Sequence, residues 1–267
     1  MLAAMLFLAI ACPAHAGLRL DGQMTQGGMI IGHADPGAAV VLDGQPVRVA
    51  PDGRFVFGFG RDAPPSAVLQ VSSPDGQTEQ RILAIAQRRW DIQRIDGLPP
   101  SKVTPPPGLA ERLKRERAAI GAARRHVSDA MFWAETLVWP SRGRISGVYG
   151  SQRILNGVPK QPHYGVDVAG PKGSPVSAPT AGIVTLAESD FYYEGGIVII
   201  DHGYGVSSTL IHMERVDVKT GESVGQGQRI GLLGAAGRAS GPHLDWRINW
   251  NGVRLDPALA ISPMPDN

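Results

Sequence analysis

Gly196-Ile197-Val198-Ile199-Ile200, followed by Gly203-Tyr204-Gly205 and then Val206 through Ile211, decides the architecture of the C-terminal half of this chain. Two apolar runs of strand length flank a glycine turn, and both are too short for core helices. Working outward, Ile183-Val184-Thr185-Leu186 precedes them, while Arg229-Ile230-Gly231-Leu232-Leu233 and Leu244 to Asn249 follow. Gly182, Gly195, Gly227 and Gly231 punctuate these runs. From Pro140 onward the chain therefore reads as one antiparallel β domain.

Residues 17–88 carry a second β signature. Met29-Ile30-Ile31-Gly32, Ala39-Val40-Val41-Leu42, Phe55-Val56-Phe57 and Val68-Leu69-Gln70-Val71 alternate with Asp35-Pro36-Gly37, Asp43-Gly44, Pro51-Asp52-Gly53 and Pro74-Asp75-Gly76 turns. That spacing predicts a small β-sandwich, and it is similar to bacterial Ig-like modules. Within it His33 stands without other chemistry-bearing residues. Residues 89–107 read as a linker, because Pro99-Pro100 and Pro105-Pro106-Pro107 cannot donate to a sheet ladder. Residues 108–138 switch to a helical period through Leu109, Leu113, Ile120, Val127, Met131 and Leu137. The basic cluster Arg112–Arg125 reads as a solvated helix face.

A length of 267 residues suits one large domain or two modest ones, and 34 glycines with 22 prolines fit a turn-rich, mainly β protein. A net charge of +2 gives no footprint for nucleic acid and tolerates an anionic polymer. Leu2 to Ala11 is an apolar run too short to span a bilayer, and Ala14-His15-Ala16 is a small-x-small cleavage signal. Residues 1–16 thus read as a signal peptide, although no Lys or Arg precedes the apolar run. No transmembrane span is expected in the mature chain. Cys12 is the sole cysteine, so no disulfide framework and no cysteine zinc site is available, and any metal must be held by His and carboxylate. Lipid anchoring through Cys12 is a lesser alternative, because Ala9-Ile10-Ala11-Cys12 is a poor lipobox.

Three stretches carry chemistry. His163-Tyr164-Gly165-Val166-Asp167 places an imidazole and a carboxylate at even spacing, on one face of an extended segment. His243-Leu244-Asp245 does the same two residues apart. His212 ends an apolar strand, on the face of Ser208 and Leu210. Each taken alone also fits a surface pair or a half-buried histidine.

In order, these pieces resemble the M23 (LytM/lysostaphin-type) metallopeptidase family, over roughly residues 139–257. His163-Tyr164-Gly165-Val166-Asp167 resembles its entry motif. Gly173-Ser174-Pro175-Val176-Ser177-Ala178-Pro179, Asp201-His202-Gly203-Tyr204-Gly205, Leu210-Ile211-His212-Met213 and Gly237-Arg238-Ala239-Ser240-Gly241-Pro242-His243-Leu244 follow in family order. The resemblance implies an antiparallel β domain holding one divalent metal, of zinc type, through His163 and Asp167. It implies catalytic roles for His243 as general base and His212 as donor to the oxyanion. Arg153, Asn156 and Tyr193 are candidates for lining the substrate groove, and His202 is assigned to structure. The implied substrate is the peptide of peptidoglycan, cut by metal-assisted hydrolysis in the periplasm or cell envelope, with envelope proteins as further partners.

One departure falls on the metal. The family pattern ends in His-x-His, and Asp245 stands at its second His. Either Asp245 is the third ligand, adding negative charge that weakens the metal's pull on water, or the site binds no metal. In the second case the domain binds wall peptide or activates another wall hydrolase.

Overall fold

The computed structural model describes residues 17–97 and 107–264. The signal segment 1–16 with Cys12, and the prolines of 98–106, lie outside the described residues. The N-terminal part contains β1 (Arg19–Gly22), β2 (Met29–His33), β3 (Ala39–Leu42), β4 (Gln45–Val47), β5 (Arg54–Gly58), β6 (Ser66–Ser72) and β7 (Thr78–Ala84). They form two antiparallel sheets, ordered β1-β2-β5 and β4-β3-β6-β7. Ala67, Leu69 and Val71 alternate inward along β6 and meet Ile30, Phe55 and Phe57 of the other sheet in one core. Asp43 and Gly44, at φ 46° and 78°, close the β3–β4 hairpin as the two left-handed residues of a primed turn.

The segment expected to be a linker is partly a strand. β8 (Ile92–Ile95) pairs in parallel with a strand of the C-terminal part, from Gln152↔Ile92 to Leu155↔Ile95. The helix, α1 (Ala110–Arg125), is shorter than the expected 108–138. Beyond it, tertiary anchoring overrides helical period. Ser128 N–H donates to Asp201 at 3.2 Å, Ser128 O accepts from Tyr204 N at 3.1 Å, and Trp133 is buried against Tyr204.

The C-terminal strands are β9 (Arg144–Gly147), β10 (Gln152–Leu155), β11 (Val158–Pro159), β12 (Val166–Ala169), β13 (Pro175–Ser177) and β14 (Gly182–Phe191). They continue as β15 (Gly195–Gly203), β16 (Val206–Val216), β17 (Ser223–Val224), β18 (Arg229–Leu233), β19 (His243–Trp250) and β20 (Val253–Leu255). The main sheet runs β17-β14-β15-β16-β19-β12-β9. Every residue of β15 is buried. Val198 and Ile200 point into the main core, while Ile197 and Ile199 lie under Ile120 and Ala123 of α1. Coverage on both faces is why that strand reads as an unbroken apolar run.

The two parts share structure. Met29, Ala50 and Val56 belong to the same buried cluster as Trp246, Leu210 and Leu255. Arg88 pairs with buried Asp256 at 2.7 Å, and Trp90 packs edge-on against Tyr149. Among the described residues, no helix is long and apolar enough to cross a membrane.

His202 sits inside the C-terminal core. Its Nδ1–H donates to Ala181 O at 2.8 Å, its Nε2 lies 2.9 Å from the Ser208 hydroxyl, and Trp246 Nε1–H donates to that hydroxyl at 3.2 Å. A neutral imidazole satisfies this network, with the Ser208 hydroxyl donating to Nε2. Burial pushes its pKa down from 6.5 to about 4. Within that interval only the unfolded chain takes the proton, so His202 contributes stability that is complete above the ordinary value and drains as pH falls. About 3 kcal/mol should be lost across this window. Urea unfolding at pH 7 and pH 4.5 should show the loss in the native chain and a smaller one in His202→Gln; equal slopes would refute it.

Candidate metal and catalytic centre

The site lies where β12, β16 and β19 meet. Asp167 and Asp245 are register partners across the β12–β19 ladder, and Asp245 is also paired with Ile211 on β16. His163 enters just ahead of β12. Its N–H donates to Ser151 O at 2.8 Å, and its carbonyl accepts from Gly150 N. His163, Asp167 and Asp245 each offer one ligand atom, all within 4.8 Å of one another. Two glycines make room for the carboxylates. A Cβ on Gly147 would stand 2.1 Å from Asp167 Oδ2, and one on Gly165 would stand 2.2 Å from Asp245 Oδ1.

His212 reaches this centre by a route that strand alternation hides. Gly196↔Met213 and Ile197↔Ile211 are partners, so His212 is the extra residue of a β-bulge. It has φ 69°, in the left-handed region, and its N–H donates to Glu194 O. Regular alternation would send it into the core with Leu210. The bulge re-aims it to the site, where its ring lies 4.8 Å from that of His243.

The three imidazoles share one orientation device. Nδ1 of His163, His212 and His243 lies 3.1, 2.9 and 2.8 Å from the carbonyls of Val148, Ala236 and Gly241. A carbonyl can only accept, so each Nδ1 carries a hydrogen, and in the neutral ring Nε2 is then left with a lone pair. His163 Nε2 lies 3.0 Å from Asp167 Oδ1 and 3.4 Å from Asp245 Oδ2, and His243 Nε2 is 3.8 Å from Asp167 Oδ1. His163 Nε2 and Asp167 Oδ1 are buried with no hydrogen-bond partner outside this cluster. Two such ligand-type atoms facing each other, beside a second carboxylate, fit a divalent cation of nitrogen and oxygen preference.

Asp245 has a second partner. Arg247, two residues along the same face of β19, donates from Nε to Oδ1 at 3.0 Å and to Oδ2 at 3.1 Å, and from Nη2 to Oδ2. Burial alone would raise the Asp245 pKa; the Arg247 charge, with His163, reverses this and holds the carboxyl well below the usual range. Burial would likewise lower His163, but the two carboxylates push its imidazolium up to about 10 when no cation is present. Burial lowers the His212 pKa, and Asp245 with the Ala236 carbonyl opposes this in part.

The other groove candidates are not members of this ligand group. Arg153 is on β10 of the small β8–β10–β11 sheet, where its Nε reaches Gln93, and Asn156 forms the β10–β11 turn at φ 50°. Tyr193 is in the β14–β15 turn, stacked under Arg238 at 4.4 Å and next to the residue that holds the His212 N–H. Sequence reasoning missed Arg247; its spacing of two from Asp245 on a strand was the available signal.

A candidate cation group of one imidazole and two carboxylates thus lies on an antiparallel sheet, with the imidazoles of His212 and His243 beside it. Residues 161–257 match the model of Peptidase family M23, and the chain carries an M23 domain there. Peptidoglycan DD-endopeptidase ShyA of Vibrio cholerae serotype O1 is 37% identical over 126 residues, which is 46% of this chain and 29% of ShyA. Peptidoglycan DD-endopeptidase ShyC of the same organism is 39% identical over 122 residues, 45% of this chain and 28% of ShyC. The chain thus spans under a third of the length of these relatives. A crystal structure from Pseudomonas aeruginosa assigned to peptidase M23 superposes with a TM-score of 0.65 at 29% identity, covering 90% of this chain and 95% of that one.

Proposed function

We propose that this chain is a zinc-type endopeptidase that hydrolyses peptide bonds in peptidoglycan, in the periplasm or cell envelope. The observation that carries the reading is the convergence of His163 Nε2, Asp167 Oδ1 and the Asp245 carboxylate, the first two buried with no partner outside the cluster. The names of the relatives, peptidoglycan DD-endopeptidases, support the substrate class.

His163, Asp167 and Asp245 would hold the metal. A bound divalent cation supplies Lewis acidity toward water and the scissile carbonyl. His243 accepts a proton at Nε2 from the attacking water and passes it to the leaving amine. His212, with its Nδ1–H held by Ala236 O, would take part in proton transfer beside His243, and would donate to the oxyanion in its imidazolium form. Arg247 draws charge from Asp245, so the extra negative charge of the Asp-for-His exchange is largely offset.

A second reading, a wall-binding or activator domain without catalysis, is favoured by one observation: Arg247 already occupies both oxygens of Asp245. Metal analysis of the purified protein beside a wall-digestion assay separates the two. The expected result is about one metal per chain and digestion abolished by a chelator. Neither metal nor digestion, in the native chain and in Asp245→His, would sink the enzyme.

A further inference from the structure

Arg247 is one of three guanidiniums gathered on the site face of the sheet. Along β19, His243, Asp245, Arg247 and Asn249 share that face, and the ladder pairs Arg247 with Thr209 and Asn249 with Arg254. Arg124, in the last turn of α1, reaches Thr209 Oγ1 with Nε and Nη2, both at 3.3 Å. Arg254 donates from Nη1 to Asn249 Oδ1. The helix and β20 therefore bring Arg124 and Arg254 to either side of Arg247.

Their partners are neutral. Arg247 has Asp245, but among the described residues no carboxylate stands within ion-pair distance of Arg124 or Arg254. Both are half-buried. Burial, then repulsion from Arg254 and Arg247, presses Arg124 below the ordinary arginine range, with Glu194 and Asp245 offsetting this in part. Burial, then repulsion from Arg247, does the same to Arg254, with Tyr164, Tyr149 and Asp245 offsetting it in part. Guanidinium keeps its proton at neutral pH, so the charge is carried rather than shed. Two half-buried cations without counter-ions, beside a peptide-cleaving centre, call for an anion from outside the chain. Guanidinium forks match a carboxylate. Strand rise puts Thr209 and Arg247 about 7 Å from Asp245 along the sheet, and Asn249 with Arg254 about 13 Å.

We propose that Arg124 and Arg254 form a carboxylate subsite, which holds a free carboxylate of the peptide substrate about two to four residues from the cleaved bond. This rests on the peptidase reading and narrows it, since a peptide lacking that carboxylate becomes a poor substrate.

The test uses the metal-loaded full chain and a cross-linked wall-peptide dimer in three forms: all carboxylates free, C-terminal carboxylate amidated, and branched-residue carboxylate amidated. Amidating one of the two should raise KM about 10- to 100-fold with kcat little changed. Which form suffers identifies the source of the carboxylate. Arg124→Gln and Arg254→Gln should erase that discrimination while keeping the metal and the circular dichroism of the parent. Arg254→Lys should restore part of it. Equal KM for all three forms in the native chain overturns the subsite, as does undiminished discrimination in both Gln variants. If the native chain holds metal but cleaves no form, the peptidase reading has failed. Calorimetric titration of the same three peptides then decides the subsite separately: tighter binding of one free form supports it, and equal affinity overturns it. Should a Gln variant misfold, the amidation comparison on the native chain still decides.

Discussion

Asp245→Ala is expected to strip the metal from the protein and also to destabilise the metal-free chain by about 3 kcal/mol. The second effect separates this site from an ordinary lost ligand. Asp245 is 2% exposed and Arg247, at 23% side-chain exposure, is its hydrogen-bonded counter-ion. Removing one partner of a buried pair leaves an uncompensated charge, which typically costs about 3–5 kcal/mol. The remaining exposure of Arg247 places the effect at the lower end. Replacing both residues, as Asp245→Ala with Arg247→Met, should recover most of the stability and none of the metal. Urea unfolding of the chelator-treated proteins, read beside elemental analysis of the untreated ones, measures the two effects independently. An unchanged unfolding midpoint in Asp245→Ala would show that the pair is not a structural unit.

His243→Ala is expected to act in the opposite way, with metal retained and kcat reduced about 100- to 10,000-fold, the range of a lost general base. The geometry behind this is specific. His243 Nε2 is 3.8 Å from Asp167 Oδ1, farther than His163 Nε2 at 3.0 Å, and its ring packs against His212 rather than between the two carboxylates. Loss of metal together with activity would instead make His243 a ligand. Preserved kcat would remove it from the chemistry altogether.

Much of the C-terminal domain was legible because its strands declare themselves. Ile197 to Ile200 is apolar at every position since α1 covers one face and the main core the other. The even spacing of His243 and Asp245 marks one face of β19, whereas His163 lies ahead of β12 and meets Asp167 through its loop, not through strand alternation. His212 was different. Its face follows from an inserted residue at positive φ, and a bulge is set by ladder register between distant strands, which no local pattern records. Arg247 was hidden for a related reason, because its role depends on how deeply Asp245 is buried. The helix expected over 108–138 stops at Arg125, since Trp133 and Leu137 gain more from the core than from continuing the helix. The expected solvated basic face on that helix is broken at Arg124, which turns inward to Thr209.

The parallel pairing of Ile92–Ile95 with Gln152–Leu155 has a practical meaning for protein engineering. The M23 match begins at residue 161, yet the loop that presents His163 is fastened to a strand some seventy positions upstream, and Trp90 packs on its Tyr149. A portable module cut at the family boundary would leave behind the strands that fasten the loop presenting His163. Anyone fusing this domain to a new targeting partner should carry the chain from about Arg88, or supply an equivalent edge.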